Sequence, residues 1–295
     1  WVVTFVGVLF LMGFGLKAAL VPFHTWLPDA HPSAPAPISA MLSGVFIKTM
    51  GIYSLVRIFF NIIGSTQDYL AVLKFLGAIS MLVAVVLAMS QWDLKRLLAY
   101  SSISQIGYVV LGIGLGTPLG ILGGLFHLFN HSVFKSLLFL NSGAVDYSAG
   151  TRDLKEISGL AKVMPVTGKT NLIASMSIAG IPPFNGFFSK LIIIIACIQK
   201  GYFGYGLCAV IGSILTLVTF MKVQKFIFSS EIKDRLKGIK EVPWGMRFSM
   251  ICLAIICILA GLMLLPSLRF FLDDAVNVIT KGTSYAQAVL GAVAK

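Results

Sequence analysis

The sequence predicts an all-α, polytopic membrane protein with about eight transmembrane helices, two of them discontinuous. Three observations predict it. Of the 295 residues, 57% are hydrophobic and only 12% charged, the mean hydropathy is +0.92, and apolar runs of spanning length recur from one end of the chain to the other. A helix of roughly 20 mostly apolar residues crosses the hydrocarbon of a bilayer, and a soluble domain carries about twice this share of charge.

Hydrophobic runs and the breakers between them place the spans at 1–20, 36–60, 69–90, 97–116, 119–145, 168–199, 202–228 and 247–265. The first is apolar from Trp1 onward and meets Pro22 and Pro28 soon after Lys17; the second begins after the proline-rich "HPSAPAP". Short polar stretches, "QWDLKR" and "GTP", separate spans three, four and five. Span six contains "GIPPFNGFFSK", in which Gly180, Pro182, Pro183 and Gly186 interrupt the helix shortly before Lys190. Span seven leads into the basic loop "SSEIKDRLKGIKEVPWGMR", and span eight closes before Pro266. A break inside a span frees backbone groups that lipid cannot satisfy, so such segments line protein or a hydrated cavity. Paired interrupted spans are the mark of transporters built from inverted repeats.

Charge sets the orientation. Alternating loops collect 13 of the 23 Lys and Arg on one side and 6 on the other. By the positive-inside rule the basic loops are cytoplasmic and the C-terminus external. A net charge of +12 would suggest nucleic acid in a soluble protein, but here the cations sit in short loops or singly in apolar runs, which excludes that partner. Cys197, Cys208, Cys252 and Cys257 lie in apolar segments without a CxxC pair, so they are expected as buried thiols and not as metal or iron–sulfur ligands. No cofactor, metal site or redox centre is expected. The chain starts inside a hydrophobic run, without a signal sequence, and reads as part of something longer.

Four lysines remain inside spans: Lys17, Lys48, Lys135 and Lys190. Each costs about 2.5–3.5 kcal/mol at the bilayer centre on insertion scales, and no Asp or Glu lies deep in a span to offset it. A low-dielectric site disfavours the charged form of a lysine, which suits it to take up and release protons. In "GLFHLFNHSVFKSLLFLNSG" the spacing of His127, His131 and Lys135 is four and four, which puts them on one helical stripe. Each histidine alone is equally readable as a packing residue, and a lysine as one that snorkels or pairs; the alignment with Lys135 points to a relay. In "YSSISQIGY", Ser101, Ser102, Ser104, Gln105 and Tyr108 add hydroxyls and an amide able to support a water file beside that stripe. HxxxH without a third ligand is a weak metal motif.

Four ordered segments, "LKAALVPFHTWLPDAHPSAPAPISAMLSGVFIK", "DLKRLLAYSSISQIGYVVLGIG", "FHLFNHSVFKSLLFLNSG" and "GIPPFNGFFSK", resemble the antiporter-like proton-translocating subunits shared by respiratory complex I, membrane-bound hydrogenases and Mrp-type cation/proton antiporters. Their wording is closer to the hydrogenase and Mrp branch. The resemblance implies two inverted five-helix repeats, each with a discontinuous helix, around a central line of ionisable residues. It makes residues 1–60 the last two helices of an incomplete first repeat, 69–228 a complete second repeat, and 229–295 a basic loop, final helix and tail. It likens Lys17 to the lysine of the first broken helix, Lys48 to the basic residue of the next, Lys135 to the middle lysine with His127 and His131 before it, and Lys190 to the basic residue of the second broken helix. The implied function is proton translocation in a redox-driven complex of a prokaryotic cytoplasmic membrane, with the redox module and other membrane subunits as partners, one supplying an acidic residue or cavity near Lys17. The rivals are a Na⁺/H⁺ antiporter subunit and a non-conducting scaffold.

Overall fold

A computed structural model describes residues 1–284 together with 287, 288 and 291; Lys295, one of the six cations expected on the external side, lies outside the described residues. Among the described residues twelve α-helices follow in chain order: α1 (Val2–Ala18), α2 (Leu27–Ser33), α3 (Ala36–Met41), α4 (Ile47–Val56), α5 (Gln67–Ser90), α6 (Leu94–Gly114), α7 (Pro118–Ala149), α8 (Pro165–Ala179), α9 (Asn185–Gln199), α10 (Phe203–Val223), α11 (Trp244–Leu259) and α12 (Phe270–Thr280). No strand occurs among the described residues.

Among the described residues five rods are long and apolar enough to cross a membrane: Ala36–Ile62, Gln67–Ser90, Leu94–Gly114, Phe203–Ser229 and Trp244–Leu264. Two shorter apolar helices, Val2–Ala18 and Asn185–Gln199, accompany them. The first rod is α3 and α4 fused through a π-helical turn, Leu42–Phe46. Helix α7, at 32 residues the longest, stands apart from the five because it carries the buried His127, Asn130, His131, Lys135 and Asn141.

Local chemistry fixes the ends. Asp93 starts α6 by accepting from the Arg96 amide (2.8 Å), Thr117 starts α7 by accepting from the Gly120 amide (3.1 Å), and Pro118 and Pro165 occupy first turns that need no N–H. Where the sequence suggests breaks, two helices stop. Helix α1 ends with Ala19 in the left-handed region at φ 58°, and α8 ends with Gly180 at φ 82°. Span 168–199 is thereby two helices of 15 residues each. Reading Pro28 as a breaker needs correction: it lies in the first turn of α2, where proline fits. The stretch after Pro266 is also more than a tail, because α12 buries Leu272, Val276 and Ile279, and Asn61 donates to the Val278 and Gly282 carbonyls at 3.0 Å.

Helix α6 is the centre of the bundle. It is buried along almost its whole length, with α5 and α7 against it, α2, α9 and α10 also in contact, and α8 and α11 packed on α7. The α5–α6 crossing is close because Gly77 and Gly107 face each other: a Cβ on Gly107 would lie 2.6 Å from the Gly77 carbonyl oxygen. Small residues permit such backbone contact, and packing rather than hydrophobicity drives helix association in lipid. The outer faces are apolar. Phe5, Leu9, Phe10 and Met12 on α1, and Phe203, Leu207 and Ile214 on α10, are all exposed. Replacing Gly107 by Val should destabilise the solubilised protein by about 1–3 kcal/mol through overpacking. Gly204, which has open space around it, should tolerate Val; thermal unfolding of both variants in detergent checks the pair.

Candidate functional site

Both helix breaks are closed by a lysine from another helix. Helix α1 ends in mid-bundle and frees the Ala18 carbonyl; Lys48 of α4, fully buried, donates to it at 2.7 Å. Helix α8 ends likewise, and Lys190 of α9, 3% exposed, donates to the Ile178 carbonyl at 2.7 Å and to that of Ala179 at 3.4 Å. The last carbonyls of a helix lack intrahelical partners and carry the negative end of its dipole. An ammonium answers both deficits, so the cations are held by dipoles and not by carboxylates. Among the described residues no ion pair involves Lys48, Lys135 or Lys190. The ammonium of Lys190 also lies 4.7 Å from the centroid of the Tyr108 ring, whose face favours a cation.

Lys135 is seated on α6. It donates to the Leu98 carbonyl (2.9 Å) and to the Ser101 hydroxyl. The same carbonyl accepts from the hydroxyls of Ser101 and Ser102 at 3.0 and 2.9 Å. Ser102 is paired with Ser43 of the π-helical turn at 2.9 Å, which joins the turn before Lys48 to the seat of Lys135.

The stripe of α7 is formed as its spacing predicts, with His127, His131 and Lys135 all fully buried. The His127 Nδ1 is 2.9 Å from the hydroxyl of Ser189, which donates in turn to the Gly186 carbonyl. Ser189 precedes Lys190, so α9 brings its lysine and the partner of His127 side by side. Asn130 and Asn185 tie the two helices together: each donates from its amide to the other residue, at 3.1 Å. The His127 Nε2 and both His131 nitrogens are buried and have no protein partner.

Some of the expected residues lie elsewhere. The side chain of Lys17 is exposed on the lateral face, where it lines an open depression of about 370 Å³ with Phe10, Phe14, Met50 and Ser54. Counting it with the buried lysines is corrected for this chain: the last turn of α1 points it outward. The polar run of α6 is also divided. Ser101 and Ser102 serve Lys135, but Ser104 donates to the Met81 carbonyl (2.8 Å), and the Tyr108 hydroxyl donates to the Ala209 carbonyl (2.7 Å) and is paired with Ser213. Gln105 reaches Thr216 at 3.5 Å. These three hydroxyl and amide groups face α5 and α10, because positions 101–108 span about two turns of helix and so fall on several faces. Pro22, Pro182 and Pro183 lie in the breaks themselves.

Sequence reasoning missed His31, buried with both ring nitrogens unpartnered and its ring 4.7 Å from that of Phe139. It also missed Lys95, which donates to the Ala34 carbonyl (2.8 Å) just after α2, and Lys74, which is buried against Tyr202. His31 sits in a proline-bounded segment that looks like loop, and the two lysines near span starts look like solvated ends. Ser189 carried a signal, its place next to Lys190; Asn185 lies five residues before that lysine, beyond one turn.

The family described as "NADH:quinone oxidoreductase/Mrp antiporter, TM" matches residues 1–216. The chain is 38% identical over 219 residues to NADH-quinone oxidoreductase subunit N of Desulforudis audaxviator (73% of this chain, 44% of that protein). It is 35% identical to hydrogenase-4 component B of Escherichia coli (85% and 41%) and 33% identical to a Na(+)/H(+) antiporter subunit of Alkalihalophilus pseudofirmus (98% and 58%). The fold superposes with a TM-score of 0.87 on a chain of the Mrp complex from Dietzia sp., at 29% identity, over 97% of this chain and 61% of that one. A chain of respiratory complex I from Thermus thermophilus gives 0.82, at 25% identity, over 94% and 58%. The chain thus spans about half the length of these relatives. Replacing Ser101 by Ala should leave Lys135 on a single carbonyl and lower stability by about 1 kcal/mol; thermal unfolding alongside the isosteric Ser101→Cys checks it.

Proposed function

The chain belongs to the NADH:quinone oxidoreductase/Mrp antiporter transmembrane family, and on that premise we propose that it carries protons through the membrane as an antiporter-like subunit of a redox-driven complex of the hydrogenase or quinone-oxidoreductase type. One observation carries this: three lysines are sealed in the bundle without counter-ions among the described residues, Lys48 and Lys190 on helix-end carbonyls and Lys135 on the Leu98 carbonyl and Ser101 of α6, and Lys135 and Lys190 flank a stripe of buried histidines.

The proposed route runs between Lys190 and Lys135 by way of Ser189, His127 and His131. A protonated Lys190 rests on the carbonyls of α8. Its proton passes towards His127, whose Nδ1 is already engaged by Ser189, and onward through His131 to the amine of Lys135. Water completes the gaps, since buried nitrogens without protein partners call for it. A charge placed near one lysine destabilises the ammonium of the next, so protons advance by like-charge repulsion. Lys48 belongs to this line through the Ser43–Ser102 link. Lys17, outward-facing here, awaits an acidic residue or hydrated cavity supplied by the rest of the protein or by another membrane subunit. We assign no redox step to this chain. The eight-span count, the division at residues 60, 69 and 228, and the cytoplasmic placement of the basic loops belong to the same proposal, supported by the two broken helices and the loop charges.

A second reading, a subunit of an Mrp-type Na⁺/H⁺ antiporter, is favoured by the 98% of this chain that matches an antiporter subunit. In it the same residues carry the proton limb, and sodium crosses elsewhere.

In the intact complex, Lys190→Met should abolish proton uptake while leaving part of the electron transfer, as measured with reconstituted vesicles; an unchanged proton-to-electron ratio excludes a conducting Lys190. Sidedness is checked by Lys233→Cys, which an impermeant thiol reagent should label from the cytoplasmic side alone. Labelling from outside inverts the topology.

A further inference from the structure

The half-helix α8 is held at both ends by charged groups, one from the next helix and one from a distant loop. At its C-terminal end are the two carbonyls that hold Lys190. At its N-terminal end Pro165 has no N–H to offer, and the next two amides, of Val166 and Thr167, both donate to Oε2 of Glu241, at 2.8 and 3.3 Å. The Thr167 hydroxyl donates to Oε1 of the same carboxylate at 2.6 Å, as does the Val242 amide at 3.2 Å. Glu241 lies more than 70 residues away in sequence, in the loop between α10 and α11. A carboxylate on free helix amides makes charge-assisted hydrogen bonds and complements the helix dipole, as an ammonium does at the other end.

This loop is built into the structure. Leu236 and Val242 are buried, Arg235 pairs with Glu156 at 3.6 Å, Lys233 donates to the Lys155 carbonyl, and Ser148 donates to the Lys240 carbonyl at 3.2 Å. Its cations Lys237 and Lys240 nonetheless stand exposed. Along its length α8 has few other polar ties: Thr170 donates to Asn141 of α7 at 2.8 Å, and Gln224 donates to Ser175 at 3.1 Å. A helix of 15 residues that ends in mid-bundle has no further turn to fix its axial position. Packing against α7, α10 and α11 holds α8 laterally, and charged groups add polar ties at its two ends.

We propose that Glu241 is a positioning residue for Lys190, acting through α8: by anchoring the first turn of that half-helix it holds the last-turn carbonyls at the lysine, and so ties the surface loop 230–243 to the buried site. The inference rests on the reading of Lys190 as a proton-carrying residue. A displacement of the loop, by whatever binds its exposed lysines, moves α8 along its axis and loosens the seat of the ammonium.

The test uses the whole complex purified from its membrane, with two readouts. Amide hydrogen exchange in Glu241→Gln should rise at both ends of α8, at residues 166–168 and again at 177–181, and stay unchanged in α10. Proton uptake in vesicles should fall at least fivefold, and Glu241→Asp, which keeps the charge, should recover most of it. If Glu241→Gln does not assemble, Thr167→Val, which removes one of the bonds to the carboxylate, should give the same pattern at smaller amplitude. Exchange that rises only at 166–168 with normal uptake overturns the inference and leaves Glu241 a local cap. Lys190→Met, run in parallel, separates the two claims: if that variant still takes up protons, the conduction reading fails, while the exchange pattern continues to decide whether α8 couples its ends.

Discussion

Inside a bilayer a carbonyl released from a helix must find a donor, and in this protein lysine is the donor. Lys48 closes the end of α1, Lys190 the end of α8, Lys95 the carbonyl of Ala34 after α2, and Lys222 the carbonyls of Met89 and Gln91 at the end of α5. For Lys48 and Lys190, which are sealed in the bundle, two difficulties cancel. An ammonium taken out of water costs several kcal/mol when unpaired, and an orphaned carbonyl costs one to three. Brought together at the negative end of a helix dipole, each supplies what the other lacks. The breaks in α1 and α8 are tolerable because of these lysines, and the lysines are tolerable because of the breaks.

The rest of the interior is arranged to present the groups at the right places. Close α5–α6 contact through Gly77 and Gly107 makes α6 a fully enclosed strut. On that strut the Leu98 carbonyl gathers Lys135, Ser101 and Ser102. Asn130 and Asn185 fasten α7 to α9, so that His127 meets Ser189 and the α7 stripe runs beside the second break. A carbonyl-held ammonium differs from an ion pair in one respect that matters for conduction. A carboxylate fixes the lysine in its charged state, whereas a dipole holds the charged form without carrying a proton itself, and a neutral amine can leave it without stranding an opposite charge. Lysines on helix ends are therefore suited to repeated loading and unloading.

The sequence by itself determined the class of the molecule, the positions of both breaks, the His127–His131–Lys135 stripe and the absence of carboxylates deep in the spans. All of these follow from local rules: hydropathy over a window, proline and glycine chemistry, and the period of a helix. The family resemblance is carried by the same local segments. What lay beyond local rules is which helix closes which break. Lys48 lies 30 residues from Ala18, and Glu241 lies over 70 from the amides it caps; nothing in the spacing relates them.

Orientation was the other matter left to the tertiary structure. Lys17 and Lys48 look alike in sequence, each a single cation in an apolar run, yet one is exposed and the other sealed. Ser101 and Ser104 stand three residues apart, yet one serves Lys135 and the other the backbone of α5. His31 looks like part of a loop and is enclosed by its neighbours. In a soluble protein polarity predicts exposure, because water is the default partner of a polar group. Within a membrane both the lipid face and the interior are apolar, so the side a polar residue faces is decided by which neighbouring helix offers it a partner, and that is known only once the helices have packed.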